Sequence, residues 1–359
     1  MTDERIITTT GRPTRRSTQS VTLNDVALHA GVSPQTVSRA IRRPDLVSRD
    51  TLERVRASID ATGYVPNLAA SNLASNRSST VAAIIPAINA SVFADALQGL
   101  DEVLAEQGYH LFIGSTEYDP GVEEDLIRAF LGRRPDGIFI VGTVHTPAAR
   151  ELLQRARVPI VESWNWTDDP IDGLVGFSNR DAVRAIVEYT HDQGYRHPTF
   201  AGRFADGDSR ALDRRDAFTT AVSRLHPDDV PRVLDSGELG VSMDAGKWLL
   251  DRALDLHPET DVLICASDVF AAGAVLECHR RGIRVPEDLG VTGFGGFEIA
   301  RHLVPTLTTV AIPNRRIGTV AGEMLLARMA DPGSPSPRID LGFEVVAGQS
   351  TRHRTGEDA

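Results

Sequence analysis

Cysteine is nearly absent from this chain, with Cys265 and Cys278 the only two in 359 residues, which excludes a disulfide framework. Both fall in segments read as a strand and a helix, where a thiol behaves as a small buried hydrophobe. Lys247 is the only lysine, so the basic side chains are almost all arginine, a codon habit of GC-rich genomes rather than a chemical signal. No run approaches the roughly eighteen apolar residues that a membrane-crossing helix needs. Residues 1–20 carry no apolar stretch of the signal-peptide type. A cytoplasmic protein without membrane contact is expected. Catalytic signatures are missing as well. No P-loop occurs, Gly293-Phe294-Gly295-Gly296 lacks the GxGxxG spacing of a dinucleotide site, and there is no GxSxG elbow. His191, His197 and His226 have no metal-ligand spacing, and Asp168-Asp169 and Glu123-Glu124 sit in loops or at helix starts, where solvated carboxylates are the norm. Neither an enzyme nor a metal or cofactor site is expected.

An apolar fraction of 41% is enough for packed domains, and 359 residues suggest two or three of them. The net charge of −11 is unevenly spread, +4 over residues 1–80 and −15 over the remainder. A basic head on an acidic body fits a head that grips nucleic acid and a body that phosphate repels.

The most specific stretch is residues 21–43, VTLNDVALHAGVSPQTVSRAIRR. Thr22 can cap a first helix, with Asp25 completing a capping box, and Val26, Ala27 and Ala30 give that helix a small apolar face. Gly31 sits where the chain must reverse and positive φ is needed. Ser33 is a second N-cap, with Pro34 at the first helical position, where a missing N–H costs nothing. Val37 and Ile41 then face inward, leaving Gln35, Thr36, Ser38 and Arg39 outward. This is the layout of a helix-turn-helix, whose second helix can enter a major groove. Many small helix pairs with a glycine turn never touch DNA, so the rest of the chain has to decide between the two readings.

Residues 1–20 lack periodicity and are read as a disordered arm, with Arg12, Arg15 and Arg16 either touching phosphate or solvated. Ser48 caps a third helix carrying Leu52, Val55 and Ile59 and ended by Gly63, which completes a head over residues 21–66. Residues 67–79 read as a hinge helix and linker, with Leu73 an apolar side chain that has no core to enter. From Thr80 strands alternate with helices: VAAIIP, YHLFIG, DGIFIVG and VPIVES, then a restart at HPTFAG, VLICAS and LGVTGFG. That rhythm predicts two open parallel-sheet units in succession over residues 80–348, with a cleft at the strand carboxyl ends, followed by a flexible tail at 349–359.

TLNDVALHAGVSPQTVSRAIRRPDLVS, YVPN, SDVFAAGAVLECHRRGIRVPEDLGVTGFGGFE and PTLTTV resemble the lactose-repressor family of bacterial transcription regulators, in order as well as content. INASVFADALQGLDEVL, GTVHTP, VPIVESW, VGFSN and DLGF resemble its gluconate-operon branch. The likeness covers residues 21 to about 348. It implies an all-α helix-turn-helix head on an α/β body of two parallel-sheet lobes, of periplasmic-binding-protein type. It also implies a homodimer, with a tetramer as the alternative, that represses a carbohydrate or sugar-acid operon. Such a protein leaves its palindromic double-stranded operator when a small sugar or sugar acid binds between the lobes.

Carried onto this chain, the resemblance puts Pro34, Gln35 and Arg39 against base edges, where Gln can pair with adenine and Arg with guanine. Thr22, Thr36, Ser38 and Asn67 would hold phosphates, and Leu73 would wedge into the minor groove. In the cleft it points to Asn89, Ser91, Phe93, Glu162, Trp164, Arg210, Ser267 and Asp268, with Asn179 at a further strand end. Arg210 is the expected clamp for an anion, and Arg214 the second choice. Trp164 and Trp166 either stack on a sugar or pack in the core. The chain departs from many members at Gly295-Gly296, where a sugar-binding aspartate is usual; Glu298, three positions further on, is the candidate to compensate. The missing carboxylate would suit an anionic ligand. Within the family a corepressor-dependent or activating regulator is the alternative, and outside it a sugar-binding transport protein, which the head argues against. The end of the chain, QSTRHRTGEDA, has no leucine heptad, which favours a dimer over a tetramer.

Overall fold

The structure is a computed structural model that describes residues 21–65, 78–88 and 91–352. It divides into two compact units, one ending at Arg77 and the other beginning at Ser78.

The first unit is helical. α1 (Leu23–Ala30) opens on the Thr22–Asp25 capping box and closes on Gly31 at φ 64°. α2 (Pro34–Arg42) starts from Ser33, whose side chain accepts from the Thr36 amide. After a 3₁₀ turn at Pro44–Leu46, α3 (Arg49–Thr62) runs from the Ser48 cap to Gly63 at φ 65°. Val26, Ala27, Ala30, Val37, Ala40, Val55 and Tyr64 form its core. His29 and Ser58 share a hydrogen bond of 3.0 Å that ties α1 to α3. The caps and glycines read from the sequence are therefore the ones that bound these helices.

The second unit has two six-stranded sheets. The first contains β1 (Thr80–Ile85), β2 (His110–Ser115), β3 (Gly137–Val141), β4 (Ile160–Ser163), β5 (Gly173–Gly176) and β11 (Arg338–Asp340), in the order β11-β5-β4-β3-β1-β2 and all parallel. The second contains β6 (Pro198–Gly202), β7 (Arg232–Asp235), β8 (Val262–Cys265), β9 (Gly290–Gly295), β10 (Thr308–Ala311) and β12 (Glu344–Val346), in the order β12-β10-β9-β8-β6-β7. Only β12 runs antiparallel there. Helices α4 (Ser91–Ala105), α5 (Pro120–Leu131) and α6 (Pro147–Arg155) join the first strands. α7 (Asn179–Asp192), α8 (Ser209–Leu225), α9 (Met243–Leu256), α10 (Asp268–Arg281) and α11 (Glu298–His302) belong with the second sheet.

The two-lobed body is as expected, but the lobes are not successive. The chain leaves the first lobe after β5, returns through α12 (Asn314–Ala330), which packs along α4, adds β11 to the first sheet, and crosses again to place β12 in the second. The first sheet thus takes its edge strand β11 from the far end of the sequence, and the second sheet takes β12 only after that detour. The expected tail is corrected too. Ser350 Oγ accepts from the Thr308 amide at 2.8 Å and donates to the Val291 carbonyl at 2.5 Å, and Thr351 meets Thr308 Oγ1 at 2.7 Å. Residues 349–352 are thus part of the second lobe, whereas 353–359 and the arm at 1–20 lie outside the described residues. Both cysteines are buried and free, as expected.

Candidate DNA-reading head and ligand cavity

In the head, Pro34, Gln35 and Arg39 are exposed on one side of α2, with Thr36 and Ser38 half-buried beside them. The buried Val37 and Ala40 hold the opposite side against the other helices. Two hydroxyls expected on phosphates have prior commitments. Thr22 Oγ1 donates to Asp25 at 2.8 Å, and Thr36 Oγ1 lies 2.9 Å from Ser33 Oγ. Backbone and side-chain hydrogen bonds from Thr22 hold the Asp25 carboxyl below the usual range, so the cap is ionised at neutral pH. Asn67 and Leu73 fall outside the described residues.

In the body, a cavity of about 400 Å³ opens where the strands of both sheets end. The first lobe lines it with Phe93 from α4, Glu117 and Tyr118 after β2, and Trp164 after β4. The second lobe gives Asn179 as α7 begins, Arg203, Asp208, Arg210 and Arg214 after β6, Ser267 after β8, Phe294 and Gly295 on β9, and Asn314 after β10. Strand carboxyl ends are where open α/β sheets bind ligands, because the loops there converge.

One wall is cationic. Arg210 donates to Asp208 at 3.1 Å and lies over the rings of Phe93 and Tyr118, 5.7 and 5.8 Å from their centroids. Arg214 lies 4.7 Å over Phe294. Burial would raise the Asp208 carboxyl, but the charges of Arg210 and Arg214 outweigh it and hold the group below its ordinary value. Burial lowers the Arg214 guanidinium, with Arg210 adding to the effect and Asp208 opposing it. Arg214 Nε, Asn179 Oδ1 and Asn314 Oδ1 are buried polar atoms with no hydrogen-bond partner among the described residues. Buried polar groups are nearly always paired, so such a cluster around one cavity needs an explanation.

Of the residues expected in the cleft, Phe93, Trp164, Asn179, Arg210, Arg214 and Ser267 line the cavity. Trp164 packs edge-on against Phe93 at 5.3 Å and is also part of the cavity lining. Ser267 spends its hydroxyl capping α10. Two expectations are corrected. Glu162 is fully buried and binds His145 at 3.3 Å and the Ile171 amide, so it braces the first lobe and is not in the cavity wall. Asp268 is buried behind the wall, accepting from Thr309 Oγ1 at 2.5 Å and the Phe297 amide at 2.6 Å; burial pushes its carboxyl up to about 6. Trp166 is off the lining, Arg215 pairs with Asp216 at 2.9 Å, and Asn89 and the Ser91 side chain lie outside the description.

The Gly295-Gly296 departure now has a physical content. A Cβ on Gly295 would come 2.2 Å from the Phe297 ring, so that ring fills the space next to the backbone. Glu298 is exposed and does not replace the missing carboxylate. Tyr118, Asp208, Arg203, Asn314 and Phe297 escaped the sequence reading. Asp208 is the N-cap of α8, a signal that was legible, whereas nothing local marks Tyr118.

A helix-turn-helix unit on a chain whose body encloses a small-molecule cavity defines a ligand-responsive DNA-binding regulator. Residues 22–67 match the model of bacterial regulatory proteins of the lacI family, and residues 187–351 that of a periplasmic binding protein-like domain. The HTH-type transcriptional regulator GntR of Pseudomonas aeruginosa is 35% identical over 343 residues, 96% of this chain and 97% of that protein. GntR of Escherichia coli K12 is 31% identical over 336 residues, 91% and 98% of the two chains. The crystal structure of a LacI-family transcriptional regulator from Silicibacter pomeroyi superposes with a TM-score of 0.86 at 34% identity, covering 92% of this chain and 99% of that one. The chain belongs to the lacI family and is a DNA-binding transcriptional regulator. Among the described residues, no helix is long and apolar enough to cross a membrane.

Proposed function

We propose that this regulator represses a sugar-acid utilisation operon and is released from its operator when an aldonate of the gluconate type binds between the lobes. The observation that carries this reading is the cationic wall. Three guanidiniums, those of Arg203, Arg210 and Arg214, face two carboxylates, and the buried one, Asp208, is already committed to Arg210. An excess positive charge and the unpartnered Nε of Arg214 ask for an anion. Two further lining residues, Asn179 and Asn314, have unpartnered Oδ1 atoms that can accept hydrogen bonds, which suits the hydroxyls of a polyol chain. The exclusion of a carboxylate at Gly295-Gly296 removes a charge that would repel the ligand. The names of the GntR relatives agree with that ligand class.

On DNA, Gln35 and Arg39 read base edges with Pro34 as an apolar contact, Ser38 and Asn67 hold the backbone, Thr22 and Thr36 join them by turning their hydroxyls from Asp25 and Ser33 to phosphate, and Leu73 wedges the minor groove at the centre of a palindrome. A homodimer places two heads about one helical turn apart. Effector binding must favour the released state by about 5.5 kcal/mol for a near-complete switch. Release of operator fragments by a panel of sugar acids and neutral sugars tests the reading. Aldonates alone are expected to release the protein; release by neutral sugars with none by any acid would overturn it.

A further inference from the structure

We propose that Tyr118 is the residue that positions the anionic effector and couples its binding to closure of the two lobes. The proposal rests on the sugar-acid reading above for the ligand and on independent geometry for the coupling. Tyr118 belongs to the first lobe, in the turn between β2 and α5, while the groups it meets belong to the second. Two guanidiniums of the second lobe come within cation–π range of its ring, Arg203 at 5.5 Å and Arg210 at 5.8 Å from the centroid, so the ring contacts the opposite lobe at two points.

The backbone that presents the ring is unusual. Glu117 and Tyr118 are successive non-glycine residues in the left-handed region, at φ 51° and 64°. Such a pair costs free energy and persists only where its surroundings over-determine it. Thr116 Oγ1 accepts from the Tyr118 amide at 3.3 Å, and the Asp119 amide closes the turn on the Thr116 carbonyl at 2.9 Å. From across the cleft, Gly207 packs so closely that a Cβ there would stand 2.0 Å from the Tyr118 carbonyl oxygen. The first-lobe turn is thus gripped by the second lobe through both backbone and ring.

The same side chain faces the ligand. Tyr118 lines the cavity, and its phenolic hydroxyl can donate to an acceptor there. Burial pushes the phenol above its ordinary value against the pull of Arg210, so the group keeps its proton and is a donor at physiological pH. A carboxylate entering the cationic wall accepts from this hydroxyl. It also relieves the repulsion that Arg210 exerts on the buried Arg214 guanidinium. Ligand binding therefore strengthens the contact that holds the lobes together, which is the differential interaction any ligand-driven switch requires.

The test uses the full-length protein, D-gluconate as probe, and the variants Tyr118→Phe and Tyr118→Leu. Calorimetry is expected to show about a threefold loss of affinity for Tyr118→Phe, which keeps the ring but not the donor, and about tenfold or more for Tyr118→Leu. Operator binding without ligand reports that both variants are folded. Amide exchange without ligand is the second readout: Tyr118→Leu should speed exchange across the cleft in residues 203–208, with Tyr118→Phe near wild type. Wild-type affinity in Tyr118→Leu together with unchanged exchange at 203–208 would overturn the proposal. If no aldonate binds the wild type while the cross-cleft exchange still responds to Tyr118→Leu, the coupling stands and the sugar-acid reading fails.

Discussion

A guanidinium taken out of water without an acceptor for its Nε is a cost to the folded protein, recovered only when an anion arrives. Arg214 is in that position, over the Phe294 ring with Nε unpartnered. Arg214→Met should therefore unfold at the same temperature as the wild type or a higher one, measured without ligand by scanning calorimetry. The same variant should lose at least about thirtyfold in gluconate affinity, since removing one member of a buried charge pair costs roughly 2 kcal/mol or more. Unchanged affinity would remove Arg214 from the site. A second buried charge works the other way. His145 sits between Glu123 at 2.7 Å and Glu162 at 3.3 Å. Burial disfavours its charged form, but the hydrogen bonds to the two carboxylates outweigh burial and raise it to about 9. A folded-state value above the ordinary one means the stabilisation is complete below about pH 6.5 and is lost as pH rises through 9. Urea unfolding at both ends of that window should show the wild type losing more stability than His145→Gln; parallel losses would contradict the ion-pair role. At this scale the arginines were legible, because an anion needs a fork of donors. Glu162 and Asp268 were misplaced because sequence position at a strand end does not say whether a side chain turns into the cleft or back into the lobe.

Helices and turns carried the clearest signals. Thr22, Ser33 and Ser48 cap the three head helices, and Gly31 and Gly63 end two of them in the left-handed conformation. Capping acts over three or four residues, so it survives in sequence alone. Packing between elements distant in the chain does not. α12 lies against α4 so closely that a Cβ on Gly318 would meet the Ala96 carbonyl oxygen at 1.8 Å. Because that obstacle is backbone, Gly318→Ala must separate the helices and should lower stability by about 3 kcal/mol, read from the urea midpoint. A loss below about 1 kcal/mol would mean that the helix pair can slide. The helical periodicity of residues 314–330 was present in the sequence; its partner, more than two hundred residues earlier, was not.

The whole molecule joins a helical unit to a body that folds around its own cavity. The division at Arg77 and Ser78 predicts that residues 78–359 expressed alone keep wild-type gluconate affinity and lose operator binding. Equal loss of both would show that the head completes the effector site. Within the body, chain crossings after β5, after β10 and between β11 and β12 join the lobes. Composition, capping and strand rhythm determined by themselves that there is a basic helix-turn-helix head and an α/β body with a cleft, because each of those signals acts over one turn or one strand. Only the tertiary structure decided that the first lobe is completed by a helix and a strand from near the end of the chain, that Arg214 Nε is left without an acceptor, and that Tyr118 comes within reach of two arginines of the opposite lobe. Those facts depend on which distant segments approach, and approach is set by the burial of whole faces rather than by any local run of residues.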